Sequence, residues 1–185
     1  VIFRLRKAAP DIVVAVSYAN DAILLSRQAY ELKLEAPIMG TGGGHSLQSF
    51  ADALGKEANG VLNVDFTQYA VNEEFAPGLK TFLALYKETF NEDPRSGHSL
   101  ANYMGANVVF DILEKTGGSL DPAKVREVAL AMDIPQGETP TGWGVKFAEN
   151  GQNVKAMPLV TQWRDEKLVT VWPEGAAVME PVIAD

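Results

Sequence analysis

The chain has 185 residues, 46% of them apolar and 22% charged, a composition that suits a packed core and not a disordered segment. Acidic residues outnumber basic ones, 24 to 16, for a net charge of −8, which argues against a nucleic-acid partner met by clustered Lys and Arg. With no Cys and two His, disulfides, thiol nucleophiles and a His- or Cys-rich metal site are excluded, and no apolar run reaches the roughly 20 residues of a membrane span.

The first residues, Val1-Ile2-Phe3-Arg4-Leu5-Arg6-Lys7, have neither the charged n-region nor the small-residue cleavage site of a signal peptide. They read as the tail of an amphipathic helix with Ile2, Leu5 and Ala9 on one side. The expectation is that the chain begins inside an architecture and that a further segment belongs upstream. Ile12 to Tyr18 is a β-branched run introduced by Pro10-Asp11, suited to a strand buried on both faces. Asn20 or Asp21 can cap a helix that continues to about Leu34. Pro37 to Gly40 reads as a second strand, followed by the turn Thr41-Gly42-Gly43-Gly44-His45. Ser46 is placed to cap a helix ending at Leu54, with Gly55 as its left-handed stop. Gly60 to Phe66 is the third strand, completing a βαβαβ order that predicts a parallel sheet with helices on its faces.

The pattern then becomes helical. Phe75, Leu79, Phe82, Leu83, Tyr86 and Phe90 form one apolar stripe. A second helix is predicted from about Ser99 to Thr116, closed by Gly117-Gly118. A third starts at Asp121, with Pro122 at its first position and Val125, Val128, Ala129 and Met132 facing inward. A flexible stretch, Pro135 to Gly144, precedes three short strand candidates at 145–148, 158–163 and 168–172, joined by turns at 149–151 and 164–167.

The strand–turn–helix at Gly40 to His45 is the right setting for backbone amides to receive an anion, and equally for a plain tight turn. His45 stands where the dinucleotide fingerprint needs its last glycine, and no phosphate-binding Lys follows. Gly44-His45-Ser46-Leu47-Gln48 stops one residue short of a nucleophile elbow, and Ser46 serves more simply as a cap. Asp65, Glu73 and Glu74 need not converge, since acids near a helix start are ordinary. Ser17, Tyr18 and Asn20 follow a strand at the edge where open α/β sheets place ligands. Phe66-Thr67-Gln68-Tyr69 ends the third strand where the pattern changes, as a hinge and a wall. Tyr69, His98, Asn102 and Tyr103 are candidates to face the same space, although packing alone would explain each.

The ordered series PDIVVAVSYANDAILLSRQAYELKLEAPIMGTGG, GVLNVDFTQYAVNEE, YKETFNEDP, LANYMGANVVFDILEKTGG and WRDEKLVTVWP resembles the type I periplasmic solute-binding proteins of branched-chain amino-acid ABC importers, over nearly the whole chain and about their second half. The resemblance implies a two-lobed α/β fold of parallel sheets with helices on both faces, the N-terminal part of both lobes lying outside this chain. Residues 1–67 with 149–175 would then form part of one lobe, 70–145 part of the helix-rich other, and 176–185 a tail. Crossings would lie near 66–68 and 142–144. It further implies a periplasmic, non-catalytic protein with no cofactor, trapping a small-molecule ligand by hinge closure and passing it to a membrane permease. Ligand contacts are expected at Ser17, Tyr18, Asn20, Thr41, Gly42, Gly43, His45, Phe66, Tyr69 and Tyr103. In amino-acid binders the turn at 41–44 often carries a carboxylate for the ligand's ammonium group. None stands there, so an aromatic or other carboxylate, met by glycine amides, His45 and Tyr18, is expected beside an amino acid. The rival readings are a small α/β enzyme that holds a phosphate or cofactor on the glycine turn, and a sensory domain of the same fold.

Overall fold

A computed structural model describes residues 1–41 and 43–183. The chain divides into two compact units, Val1–Val71 with Pro158–Asp185, and Asn72–Met157.

The first unit begins with α1 (Ile2–Ala8), whose Ile2 is buried. Strands β1 (Val13–Val16), β2 (Ile38–Thr41) and β3 (Leu62–Asp65) run parallel, as the βαβαβ order predicts. β4 (Leu159–Arg164) and β5 (Lys167–Trp172) add an antiparallel hairpin beside β3, so the five-stranded sheet is mixed, in the order β1-β2-β3-β4-β5. Asp165 and Glu166 both adopt positive φ, 49° and 63°, which is what a two-residue hairpin turn matching the strand twist requires.

One face of the sheet is closed by α2 (Ala19–Glu31) and α3 (Gln48–Leu54), where Val13, Ala15, Ala22, Ala29, Ile38, Phe50 and Trp163 form one core. Phe50 and Trp163 lie nearly stacked, ring centroids 6.1 Å apart. Truncating either to Ala would cost about 3–5 kcal/mol. On the other face Val169, Val171 and Leu62 are buried, and the chain after β5 returns across β4. There the Gln162 side chain binds Val182 through both amide atoms, accepting from its N–H at 3.0 Å and donating to its C=O at 2.7 Å. Val14 and Val16 on β1, in contrast, are 63% and 78% exposed.

Several local expectations are corrected. α2 takes Tyr18 as its N-cap and places Asn20 and Asp21 inside its first turn, because the change from extended to helical backbone falls at Tyr18. α2 also stops at Glu31: Lys33 is left-handed at φ 51°, and Leu34 N–H bonds back to Ala29 O at 2.8 Å, a Schellman ending built without glycine. The end of α3 follows expectation: it stops at Leu54 with Gly55 as C-cap at φ 55°, and a 3-10 turn (Gly55–Ala58) continues from there.

The second unit holds α4 (Leu79–Phe90), α5 (Gly97–Lys115) and α6 (Pro122–Ala131). Asp121 caps α6 as its sequence predicts, accepting from Ala123 N–H. Met132, Val108, Ile112 and Val145 are buried together, with Val125, Val128 and Ala129 against them. Phe75 leaves the predicted apolar stripe, since α4 starts at Leu79 and the Phe75 ring lies over Gly142. Residues 145–148 form no strand. Val145 and Phe147 make one isolated bridge each, to Ile134 and Asn153. The stretch 135–144 is closed by turns, with Gly137 N–H on Gly142 O and the Thr139 hydroxyl donating to Trp143 O. Asp133 accepts from Lys146 at 2.7 Å and from Lys155, and these two ammonium groups hold its carboxyl down at about 2.

Candidate functional site

The three parallel strands end side by side, with Val16 opposite Thr41 and Thr41 opposite Val64. Their carboxyl edge therefore gathers Ser17-Tyr18, the turn after Thr41, and Asp65-Phe66. Ser17 N–H bonds Thr41 O at 3.2 Å, joining the first two segments. Gly44 presses flat on the chain after β1: a Cβ there would lie 2.6 Å from Ser17 O and from the Tyr18 carbonyl carbon. Only glycine permits that approach, and it is what brings the glycine turn against Ser17 and Tyr18.

His45 does not serve this edge. Its side chain is 0% exposed and packs 5.3 Å from the Phe50 ring, while its backbone C=O accepts from the Trp163 indole N–H at 2.6 Å. The ring fills the space above Gly40, where a Cβ would come within 2.2 Å of it. Neither ring nitrogen has a hydrogen-bond partner, and burial pushes the imidazole down to about 4 from 6.5, so it is neutral at neutral pH. The expectation that His45 meets a ligand is thus corrected: the glycine at 40 opens an inward place that the ring takes.

Ser46 is not a helix cap either, since α3 begins at Gln48 with Leu47 as N-cap. The buried Ser46 hydroxyl donates to Asp65 Oδ2 at 2.5 Å, and Asp65 Oδ1 accepts from Phe66 N–H at 2.8 Å. One carboxylate thereby ties the end of β3 to the glycine turn. Ser46 meets an acid directly, with no imidazole between, so the relay of a serine nucleophile is not assembled.

Tyr18 stands 81% exposed and Asn20 is exposed beside it. Thr41, Gly43, Ser17, Phe66 and Tyr69 are half-buried. Gly42 lies outside the described residues. Tyr103 belongs to the second unit, its ring 5.1 Å from Phe82. The first unit thus brings Ser17, Tyr18, Thr41, Gly43 and Phe66 to one edge and turns His45 away. What sequence reasoning passed over at this edge is Asp65, weighed only as one of three scattered acids. The signal was its position as the last residue of β3. A cavity of about 520 Å³ opens in this unit among Ser26, Ala29, Leu34, Pro37 and Val61, and it holds none of the expected site residues.

The glycine turn and the aromatic loop thus lie at the carboxyl edge of the parallel strands, where open α/β sheets hold ligands. Comparison with known proteins bears on the class directly. The periplasmic binding protein family matches residues 1–167, and the chain belongs to that family. Leu/Ile/Val-binding protein homolog 7 of Brucella suis biovar 1 (strain 1330) is 45% identical over 181 residues, 97% of this chain and 45% of that protein. The chain thus spans somewhat under half the length of the curated relatives it matches. Among solved structures, a leucine-binding protein LivK from Thermotoga maritima MSB8 aligns with TM-score 0.72 at 22% identity, covering 95% of this chain and 47% of that one. A solute-binding protein from R. palustris in complex with benzoate aligns with TM-score 0.70 at 17% identity, covering all of this chain and 47% of its own. The fold is that of type I periplasmic binding proteins.

Proposed function

We propose that this chain is the C-terminal part of the substrate-binding component of a bacterial ABC importer. In this reading the protein works in the periplasm, holds a small organic solute between two lobes by hinge closure, and presents it to a membrane permease. The observation that carries the reading is the 45% identity to Leu/Ile/Val-binding protein homologs along 97% of the chain. The site agrees with it: the edge gathers an aromatic side chain, backbone of a glycine turn and one carboxylate, with no nucleophile and base in register. The two compact units correspond to parts of the two lobes, and the expected contacts at Ser17, Tyr18, Asn20, Thr41, Gly42, Gly43, Phe66, Tyr69 and Tyr103 remain the proposed lining.

The bare side of β1 fits a missing portion of the same protein. Val13 to Val16 is apolar on both faces, as strands buried on both faces are, yet Val14 and Val16 are exposed. The upstream segment would cover them. The 185-residue piece made alone is expected to aggregate or self-associate; a sharp two-state melt of its monomer would remove this argument. For the longer protein, thermal shift against amino acids, aromatic acids and short carboxylates is the test. A binding protein is stabilised by about 2.7 kcal/mol at a hundredfold excess over Kd. Turnover of the solute, in place of a stoichiometric shift, would overturn the reading in favour of an enzyme.

A further inference from the structure

The cavity of about 520 Å³ in the first unit has the size of a small-molecule pocket. It opens where β2 begins at Ile38, where Val61 leads into β3 and where antiparallel β4 ends at Arg164. Thr41 and Asp65 stand at the far ends of β2 and β3, about 10 Å away along the strands. Leu34, Pro37, Ile38 and Val61 give the cavity an apolar wall. Its charged lining is Glu35, Glu57 and Asp165 against Arg164 alone, and none of the ion pairs among the described residues engages these side chains. Ser26 of α2 also lines it; the residue is 3% exposed and its hydroxyl has no hydrogen-bond partner. The mouth is held in shape by the chain itself. Asp165 N–H donates to Asn59 Oδ1 at 2.8 Å, and Gln162 Nε2 donates to Gly60 O at 3.0 Å and to Val182 O at 2.7 Å.

We infer that this cavity at the amino edge is a second ligand site, which takes a small amphiphilic amine: its ammonium among the three carboxylates, its ring or chain along the apolar wall, and a hydroxyl at Ser26. A concave surface with acid in excess of base concentrates cations, and an ammonium that meets a carboxylate there makes a charge-assisted hydrogen bond. A carboxylate in the ammonium's place would face three like charges for one opposite charge. A buried hydroxyl without a partner is costly, so a ligand group that bonds it supplies what the free protein lacks. Because the mouth is pinned by hydrogen bonds before anything enters, little ordering of the protein opposes binding. The inference does not rest on the solute-binding reading, since none of these residues belongs to the carboxyl edge.

Isothermal titration at low salt, on the longer protein that carries this segment, tests the assignment with three probes. Tyramine has both polar ends, phenethylamine lacks the hydroxyl, and 3-(4-hydroxyphenyl)propanoate has a carboxylate where tyramine has its ammonium. Tyramine is expected to bind about three- to tenfold tighter than phenethylamine, and the acid to bind most weakly. Ser26→Ala, a mild change, should erase the difference between the two amines. Glu57→Gln should weaken both amines alike, by about two- to fivefold, and Arg164→Gln should tighten both. Tyr18→Ala, at the opposite edge, should leave the amines unaffected. Absence of tyramine binding, or a preference for the acid, would overturn the inference. So would amine binding that is lost in Tyr18→Ala yet indifferent to Ser26→Ala and Glu57→Gln, because the amines would then occupy the carboxyl edge. Amine binding with the expected pattern, in a protein that no amino acid or carboxylate stabilises, would leave this site standing and break the solute-binding reading alone.

Discussion

Two glycines in this chain, one in each compact unit, lie under an aromatic ring. In the first unit the His45 ring covers Gly40, and in the second the Phe75 ring covers Gly142; a Cβ at either glycine would meet the ring at 2.2 and 2.1 Å. The steric device is the same, but the glycines differ in a second respect. Gly142 also sits at φ 75° and presses on Phe75 O, whereas Gly40 lies in ordinary strand backbone. The rings differ too. Phe75 brings nothing to titrate, while His45 carries two unpartnered nitrogens into a core. A shape requirement shared by two sites therefore comes with a pH dependence in only one of them.

The largest effect is expected from Gly142→Ala, which adds a clash with ring and backbone to a left-handed residue, and should destabilise by about 3–5 kcal/mol. Gly40→Ala lacks the backbone term and should cost about 2–3 kcal/mol. Urea unfolding of the longer protein reads both. Combining Gly40→Ala with His45→Ala removes the two nearest ring atoms and leaves only the Cβ of residue 45 at 2.6 Å, so the double variant should be more stable than the sum of the single losses by about 1 kcal/mol. Strict additivity would show that the ring is not what Gly40 accommodates.

The titration is comparable in size to the loss at Gly40. The folded state holds His45 at about 4 against 6.5 for the free side chain, so between these values the unfolded chain binds the extra proton. Stability should fall as pH drops from about 6.5 to 4, by on the order of 3 kcal/mol, and level off below. His45→Phe should flatten that part of the curve, and Phe75→Leu should leave it unchanged. The smallest effect concerns Asp133, whose carboxyl is lowered to about 2 from 3.8 by Lys146 and Lys155. What it contributes is present above 3.8 and lost as pH falls toward 2. Asp133→Asn should speed hydrogen exchange at the Ile134 and Val145 N–H groups, each of which donates to the other residue's C=O beside it, with little change in the global midpoint.

The comparison also marks what could be read in the sequence. The parallel β1–β3 order was legible because it follows from local runs of β-branched residues and the lengths between them. Asp121 and Pro122 were legible for the same reason: a cap and its helix lie within three residues. Ser46 was not, because its role depends on Asp65, which the parallel register brings to it from 19 residues away. Nor was the inward turn of His45, which needs the space that Gly40 leaves five positions earlier. Residues 145–148 looked like a strand because their side chains alternate, yet each of their bridges goes to a different short partner and no ladder can grow. At the candidate site, the segments were legible and the inventory was not: Tyr18 and the glycine turn announce themselves by position, whereas Asp65 gains its role only once three strand ends are seen together.

The return of the chain over β4 has a consequence for how its last residues can vary. That segment is fixed at two points, by Val178 N–H on Thr170 O at 3.0 Å and by Val182 between the amide atoms of Gln162. The second anchor engages only backbone atoms of Val182, so the identity of its side chain is free while its distance along the chain is not. Related sequences are accordingly expected to drift in composition between these two anchors, yet to keep Gln at the position of Gln162 and to avoid insertions or deletions in between.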